Sequence, residues 1–377
     1  MRVGNENFQS IWIDRSDPHV VKVIDQQRLP FFFEIKELRS VDDVFDAIGN
    51  MTVRGAPLIG ASAAFGLYLA TLEINPMTNI RDHLLNAARY LISCRPTAVN
   101  LSWSVNHSLK KLLADLSSGS LPETALNTAM EICETEKEYC RQIGNHGLKI
   151  IEDLSEQKKG EPVNILTHCN AGWLATIDYG TVTAPVYLAH DKGIRVHVWV
   201  DETRPRNQGS KLTAWELGQH GVPHTLVTDN SGGHLMQKKM VDAVFVGSDR
   251  TTAAGDVANK IGTYLKALAA MDNNIPFYSL FPSTTFDFGT RDGLSEIEIE
   301  ERDQEEVTHI SGLAGETLQS VRICPENTVA LNHGFDITPA RLITGLITER
   351  GICRADEKEI KEMFSDKYDK DGRSGKI

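Results

Sequence analysis

The stretch VNILTHCNAG, residues 163–172, does more than any other to decide the fold. Its apolar start, residues 163–166, is typical of a buried strand, and the small and polar residues after it are typical of a strand end. A helix is predicted to begin near Gly172. Cys169 therefore stands where a strand passes into a helix, which is the first half of a βαβ unit.

The same alternation of strand and helix patterns continues through the second half of the chain. Further strands are predicted at 194–200, 224–228, 242–247 and 276–281, with helices at 172–190, 209–220, 231–240, 257–271, 338–349 and 356–364. Such alternation predicts an α/β fold with a doubly wound, Rossmann-like parallel sheet that helices cover on both faces.

The first half of the chain has a different pattern. Short apolar runs at 11–13, 20–24 and 31–35 predict a small antiparallel sheet, and helices are predicted at 40–48, 56–73, 79–93, 100–118 and 121–155. Ser40 and Asp43 resemble a capping box at the first of these helices. The polar segment SEQKKGEP, 155–162, marks a boundary. We predict a mainly helical domain at 1–155, a Rossmann-like domain at 156–365 and a polar tail at 366–377.

Composition narrows the class of protein. The 377 residues are 41% hydrophobic and 24% charged, with a net charge of -12, which argues against a general nucleic-acid or anionic-membrane surface. The six cysteines form no CxxC pair and no zinc spacing, and no signal peptide is recognisable, which favours reduced thiols in the cytoplasm. The uncharged stretch 56–72 contains a proline and two glycines, so we predict a buried helix there and no membrane span.

Polar residues cluster after several of the predicted strands, and in an open parallel sheet these strand ends share one crevice. Cys169 and Asp249 are the candidate acid/base pair, because moving a carbonyl between adjacent carbons requires proton transfer at both. A helix N-terminus and the neighbouring His168 would favour the thiolate form of Cys169. Each residue also has a purely structural interpretation. Cys169 could be packed in the core, Asp249 could cap a helix N-terminus, and His168 could be a structural histidine.

Several segments could bind an anion. The run 247–264 begins with small residues and then supplies Asn259 and Lys260, predicted to lie early in a helix, which together suit a phosphate. The loop 201–209 carries two arginines and Gln208. Arg54 and Arg95 are predicted on loops of the first domain, where a cleft between the domains would collect them. A sugar phosphate is the leading candidate ligand.

The chain also resembles a known family, the methylthioribose-1-phosphate isomerases of methionine salvage, whose fold is shared with regulatory subunits of a translation-initiation exchange factor. The resemblance rests on segments spread over nearly the whole chain: RGAP at 54–57, RPTAVNL at 95–101, THCNAGWLAT at 167–176, DETRP at 201–205, QGSKLTAWEL at 208–217, GDVANKIGTY at 255–264, PFY at 276–278, IEERD at 299–303 with EEVT after it, and ITERG at 347–351.

The resemblance implies isomerisation of an aldose 1-phosphate to the ketose 1-phosphate in a homodimer, without metal or organic cofactor. It implies that Cys169 moves a proton between C2 and C1 and that Asp249 acts as acid/base on the ring oxygen. It also implies seven substrate-binding residues: Arg54, Gly55, Ala56, Arg95, Gln208, Asn259 and Lys260.

Three segments depart from the family pattern, at 253–254, 286–294 and 332–336, and they leave the substituent at C5 of the sugar open. A 5-deoxyribose 1-phosphate isomerase would use the same residues. A non-catalytic regulatory subunit is the alternative from another class, and it would not need the Cys169 and Asp249 pair. A ribose 1,5-bisphosphate isomerase would need further basic residues for its second phosphate.

Overall fold

The N-terminal segment forms two small antiparallel sheets in the computed structural model, which describes residues 1–95, 98–116 and 120–368. The first sheet pairs β1 (Arg2–Val3) with β2 (Glu6–Asn7), and the second contains β3 (Ile11–Ile13), β4 (Val21–Ile24) and β5 (Ile35–Leu38). The third strand of the predicted meander was placed too early, at 31–35. The observed strand β5 begins only at Ile35. A loop precedes β5, and the Asp25 amide closes this loop by donating to the Glu34 carbonyl oxygen at 2.9 Å.

The predicted helical region follows. Its helices are α1 (Val41–Gly49), α2 (Ala56–Leu72), α3 (Ile80–Ser93), α4 (Val99–Ala114) and α5 (Leu121–Lys158). The capping box is confirmed, since the Asp43 amide donates to Ser40 Oγ at 3.1 Å and the Ser40 amide donates to Asp43 Oδ2 at 3.0 Å. Helix α2 is buried on nearly all sides, as its lack of charge predicts. No helix within the described ranges is long and apolar enough to cross a membrane.

Strands and helices then alternate to the end of the described chain. In order they are β6 (Val163–Thr167), α6 (Thr183–Asp191), β7 (Val196–Asp201), α7 (Ala214–His220), β8 (His224–Val227), α8 (Gly232–Gln237), β9 (Ala243–Val246), β10 (Arg250–Thr252), β11 (Val257–Lys260), α9 (Thr263–Asp272), β12 (Phe277–Leu280), β13 (Phe286–Asp287), α10 (Gly293–Glu296), α11 (Glu305–Thr308), β14 (His309–Ala314), β15 (Thr317–Arg322), β16 (Phe335–Thr338), β17 (Gly345–Thr348), β18 (Gly351–Cys353) and α12 (Glu357–Met363).

The main sheet has the order β8-β7-β6-β9-β12-β17-β18, and its strands are parallel except for β18 at one edge. Alternate strand residues pack into cores on opposite faces, as Ile165 and Leu166 do. The predicted doubly wound α/β fold is confirmed. Strand order reverses between β6 and β9, so a crevice opens beyond the carboxyl ends of these two strands.

A smaller sheet, in the order β13-β10-β11-β16, lies beside this crevice. It corrects the helix predicted at 257–271, because Val257–Lys260 pairs with both β10 and β16, and α9 begins only after Gly262, whose φ is +101°. Asn259 and Lys260 therefore lie on a strand. The helix predicted at 338–349 was also wrong, since this segment holds only a 3₁₀ turn, Ala340–Leu342, and then β17, an inner strand of the main sheet.

The helix predicted at 172–190 is interrupted. A single 3₁₀ turn, Trp173–Ala175, is followed by irregular chain that turns at Gly180, where φ is +80°, and α6 begins only at Thr183. Cys169 therefore does not precede a long helix. The expectation that a helix dipole polarises its thiol was wrong.

Helix α5 connects the two halves of the chain. It packs against α2 on one side and against α6 and β17 on the other, and it ends at Lys158. We keep 1–155, 156–365 and 366–377 as proposed domain limits. Of the proposed tail, residues 369–377 lie outside the described residues, as do Pro96 and Thr97 of the RPTAVNL segment.

Candidate active site

A cleft opens at the crevice beyond β6 and β9. The loops that follow β6, β9 and β12 line it, together with the start of α2 and residues of β11. All nine residues that the sequence singled out lie in its wall: Arg54, Gly55, Ala56, Arg95, Cys169, Gln208, Asp249, Asn259 and Lys260. The structure thus brings residues from both halves of the chain into one site, and their individual roles stay predictions.

Cys169 is held by hydrogen bonds to its backbone. Its φ is +67°, a left-handed conformation that is unusual for a residue with a side chain. The Cys169 amide donates to Thr203 Oγ1 at 2.8 Å, and Thr213 Oγ1 donates to the Cys169 carbonyl oxygen at 2.7 Å. Because the two threonines bind the backbone on both sides of the α-carbon, they fix the direction in which the thiol enters the cleft.

His168 is almost fully buried beside this thiol. Its Nε2 lies 2.8 Å from the Ile261 carbonyl oxygen, so this nitrogen carries a proton and donates. Its Nδ1 lies 3.3 Å from Asp201 Oδ2, and the Lys266 ammonium lies 3.1 Å from the same oxygen. Both ring nitrogens face partners other than the thiol. These contacts give His168 a structural role in the wall of the cleft, and its predicted effect on the thiol stays a prediction.

Asp249 and Lys260 are the ionisable pair of the inner wall. Burial raises the pKa of the Asp249 carboxyl, and the cations Lys260, Arg95 and Arg54 oppose that rise. Burial lowers the pKa of the Lys260 ammonium, while Cys169 and Asp249 oppose that change. Lys260 Nζ donates to the Gly334 carbonyl oxygen at 2.8 Å and lies 5.0 Å from the centroid of the Phe335 ring. Burial thus favours the neutral form of both groups.

Arg54 is clamped at one end of the cleft. Its guanidinium donates to Asn170 Oδ1 at 2.7 Å and to the Asn170 carbonyl oxygen at 2.6 Å. The chain then turns at Gly55 into α2, which has no side-chain cap at its first turn. Since Gly55 and Ala56 line the cleft, the positive end of a buried 17-residue helix faces it. This end of the cleft suits an anion.

Glycine is the only residue type that fits position 55, which predicts a large effect of Gly55→Ala. The φ of Gly55 is +95°, and an added Cβ would lie 2.4 Å from the Ala175 carbonyl oxygen. We expect the substitution to lower the free energy of unfolding by about 2 to 5 kcal/mol, through backbone strain and overpacking together. Urea unfolding of the purified proteins measures this change.

Gly160→Ala is the matched control for that measurement. Gly160 has nearly the same φ, +94°, but nothing lies within 4 Å of an added Cβ. We expect a loss of only about 1 to 2 kcal/mol, from backbone strain alone. Equal losses for the two variants would show that contact with Ala175 does not constrain the start of α2.

The remaining polar residues of the cleft are also held in place. Arg95 Nη2 donates to Glu300 Oε2 at 2.7 Å. Burial raises the pKa of the Glu300 carboxyl, but the neighbouring Arg95 and Arg302 outweigh this effect, so the pKa is lowered. Asn259 Nδ2 donates to Thr263 Oγ1 at 3.0 Å. Among the described residues, the buried Gln208 Oε1 and Arg95 Nε have no hydrogen-bond partner. These two atoms are available to a ligand.

Sequence reasoning missed the residues that position the predicted ones. Asn170 and Glu300 lie inside quoted motifs, so a search for partners of Arg54 and Arg95 within those motifs could have found them. Thr203 and Thr213 also lie inside quoted motifs, but they contact Cys169 through its backbone amide and carbonyl, and a sequence motif does not display such a contact. Glu216 is also buried, and burial raises its pKa to about 8. It accepts a hydrogen bond from the Leu174 amide at 3.3 Å beneath the cleft.

Comparison with known proteins places this fold and site in a class. Residues 52–355 match the Initiation factor 2 subunit family. Within that class the chain belongs to the methylthioribose-1-phosphate isomerase family. It is 54% identical to "Methylthioribose-1-phosphate isomerase" of Desulfatibacillum aliphaticivorans, over 97% of this chain and 100% of that protein, and 53% identical to the protein of the same name from Sinorhizobium medicae, with the same coverage.

Solved structures show the same relationship. The chain is similar to the crystal structure of 5-methylthioribose 1-phosphate isomerase from Pyrococcus horikoshii OT3, with a TM-score of 0.81, 36% identity and coverage of 96% of each chain. It is also similar to the crystal structure of the translation initiation factor eIF-2B, subunit delta, from A. fulgidus, with a TM-score of 0.77 and 38% identity over 95% of this chain and 100% of that one.

Proposed function

We propose that this protein is an aldose–ketose isomerase that converts 5-methylthioribose 1-phosphate into 5-methylthioribulose 1-phosphate in methionine salvage. The observation that carries the proposal is the meeting of Cys169, Asp249 and seven predicted binding residues in one cleft at the switch point of the sheet. The names of relatives that are more than half identical to nearly the whole chain support the same reaction.

The phosphate group binds at the cationic end of the cleft. Arg54 and the first turn of α2 provide donors there, and Arg95 and Lys260 add positive charge. This local charge matters because the whole chain carries a net charge of -12, which by itself repels a sugar phosphate. The unpartnered Gln208 Oε1 is an acceptor for a substrate hydroxyl.

Asp249 opens the sugar ring in the proposed mechanism. Its carboxyl donates a proton to the ring oxygen as the bond from that oxygen to C1 breaks. A carboxyl with a raised pKa keeps a proton at higher pH than an ordinary aspartate does, which suits a general acid. Cys169, as a thiolate, removes the proton from C2 and returns it to C1. The C2 hydroxyl then loses its proton to the Asp249 carboxylate, which forms the ketone and restores both residues.

A side-by-side assay of the purified protein tests this function. Ketose formation from 5-methylthioribose 1-phosphate and from 5-deoxyribose 1-phosphate is followed, kcat/KM values are compared, and Cys169→Ser serves as the blank. We expect a clear preference for the methylthio sugar. An equal or reversed preference would assign the protein to the deoxy sugar or to both. Turnover of neither would favour a non-catalytic subunit, the class to which the name of the similar A. fulgidus protein points.

We also propose that the protein is a cytoplasmic homodimer, as the family resemblance implies. Exposed apolar side chains on one side of α9 support an interface between copies: Leu265, Leu268 and Met271 are 64%, 37% and 58% exposed. Large exposed apolar patches commonly mark protein interfaces. Light scattering should give twice the chain mass of 41.8 kDa, and a value near 41.8 kDa would contradict the dimer. Cell fractionation tests the location.

A further inference from the structure

A second cavity lies between the helical half of the chain and the segment that follows β12. Helices α4 and α5 form one wall, and residues 283–289 form most of the other. We call it the aromatic pocket, after the aromatic side chains that line it: Trp103, His107, Tyr139, Phe286 and Phe288. Within the described ranges it shares no lining residue with the main cleft, so the proposed mechanism makes no use of it.

Glu136 of α5 is buried in the wall of this pocket, with only 3% of its surface exposed. Thr284 Oγ1 donates to Glu136 Oε1 at 2.9 Å, and Asn100 Nδ2 donates in turn to Thr284 Oγ1 at 3.1 Å. Among the residues that the structure describes, the second carboxyl oxygen, Oε2, has no hydrogen-bond partner. Because a buried polar atom without a partner costs free energy, this oxygen is a site for a donor from a ligand.

The other acidic residues in the wall already have cationic partners. Glu131 Oε2 lies 2.6 Å from Lys111 Nζ, and Asp287 Oδ2 lies 3.7 Å from Arg250 Nη1. The negative charge that the pocket leaves uncompensated is therefore that of Glu136.

The surroundings of Glu136 favour a bound cation. Burial and the neighbouring carboxyl of Glu349 raise the pKa of Glu136 to about 7, and the hydrogen bond from Thr284 opposes them only in part. Lys367 also borders the pocket, but it makes no hydrogen bond to Glu136 Oε2. A positive charge close to the carboxyl would favour its ionised form and would form a charge-assisted hydrogen bond with it.

The aromatic rings of the pocket also suit a positive charge. Trp103 and His107 stack with 5.3 Å between ring centroids, and Phe286 and Phe288 stack at 4.9 Å. The faces of such rings attract cations through their quadrupoles. Burial lowers the pKa of His107, so its ring is neutral at pH 7 and does not repel a cation.

The cation that fits is an organic one. Within the described part of the chain, no cluster of three or more His, Cys, Asp or Glu side chains could hold a metal ion. A hard cation such as Ca²⁺ takes about six to eight oxygen ligands, and one free carboxyl oxygen falls far short of that number. An ammonium group needs fewer acceptors and gains from aromatic faces. We propose that the aromatic pocket binds a small organic ammonium ion, with Glu136 as its counter-ion.

Calorimetric titration with benzylammonium tests this site. Benzyl alcohol is the matched ligand, because it has the same ring without the charge. We expect saturable binding of benzylammonium, and binding of benzyl alcohol that is at least about 10-fold weaker. Glu136→Gln keeps the shape of the side chain and removes its charge, so it should weaken the binding of benzylammonium by about 10- to 100-fold.

Glu131→Gln is the matched control variant, because Glu131 lies on the same helix and in the same wall but pairs with Lys111. It should change the affinity by less than about 3-fold. Asp249→Asn, in the main cleft, should bind benzylammonium as the unaltered protein does. Asn106→Lys adds a positive charge from an exposed position at the pocket and should weaken binding about 5-fold or more, which keeps the test open if Glu136→Gln folds poorly.

Three results would overturn this inference: no saturable binding of benzylammonium, equal affinity for benzyl alcohol, or equal weakening by Glu131→Gln and Glu136→Gln. Loss of binding in Asp249→Asn would place the ammonium ion in the main cleft and would overturn it as well. The titrations do not involve the sugar reaction, so each of these results leaves the isomerase function standing.

Discussion

Cys169→Ser is expected to lower kcat by about 100- to 10 000-fold, the usual contribution of a positioned acid/base group. A serine hydroxyl has nearly the size of the thiol but gives up its proton far less readily, so it cannot remove the proton from C2. The contacts that position residue 169 come from its backbone amide and carbonyl, which the substitution keeps. Steady-state kinetics with 5-methylthioribose 1-phosphate measures the loss, and thermal unfolding should stay close to that of the unaltered protein.

Cys324→Ser provides the control for thiol loss. Cys324 is also partly buried, but it lies outside the cleft, and its sulfur contacts the Thr308 carbonyl oxygen at 3.9 Å. It should turn over substrate normally. Near-native turnover by Cys169→Ser would remove the thiol from the mechanism. The reaction in heavy water adds a second check, since deuterium at C1 of the product shows that the hydrogen moves as a proton that exchanges with solvent.

The sequence predicted best what is encoded over short distances. The strand at 163–167 and the capping box at Ser40 match the structure, and so does the succession of strands that builds the main sheet. The position of the ligand crevice also follows from the sequence, because ligands of such sheets bind beyond the carboxyl ends of the strands where the strand order reverses. Cys169 and Asp249 follow β6 and β9, which are those two strands.

The errors occur where distant parts of the chain decide the local structure. The segment 257–271 reads as one helix, yet Val257–Lys260 pairs with Phe335–Thr338, more than seventy residues later. Pairing with a distant strand overrides local propensity, and a single sequence does not display that partner. The same limit hid the contact of Arg95 with Glu300, 205 residues apart in the sequence.

Burial of Asp249 gives this residue opposite effects on catalysis and on stability. Removal from water raises its pKa, which keeps the acid protonated for ring opening. The same shift destabilises the folded protein. Below the ordinary pKa of aspartate both the folded and the unfolded states carry the proton, so there is no cost. Above that value the unfolded chain ionises freely while the folded protein resists, and stability falls as pH rises through this window.

Asp249→Asn should therefore separate the two effects. We expect kcat to fall by about 100- to 10 000-fold, because an amide cannot donate the proton to the ring oxygen. The free energy of unfolding at neutral pH should equal or exceed that of the unaltered protein, because the partly buried carboxyl whose pKa is raised in the folded state is gone. The unaltered protein should lose activity at high pH as the Asp249 carboxyl gives up its proton, and this loss should be absent from the pH–rate profile of the variant. The substitution leaves in place the charged groups that act on the pKa of Asp249, namely Lys260, Arg95, Arg54 and Glu300.

Asp292→Asn is the matched control, since Asp292 is exposed and its pKa is lowered by hydrogen bonds from Ser295 and Leu294 at the start of α10. Its folded pKa lies below the unfolded value, so it stabilises the protein above that pH, and its replacement should not raise stability or change turnover. Near-native turnover by Asp249→Asn would exclude this carboxyl as the general acid. A stability that falls with the Asp249 substitution would contradict the destabilising effect of its burial, because only a carboxylate with net favourable contacts in the folded state produces that sign.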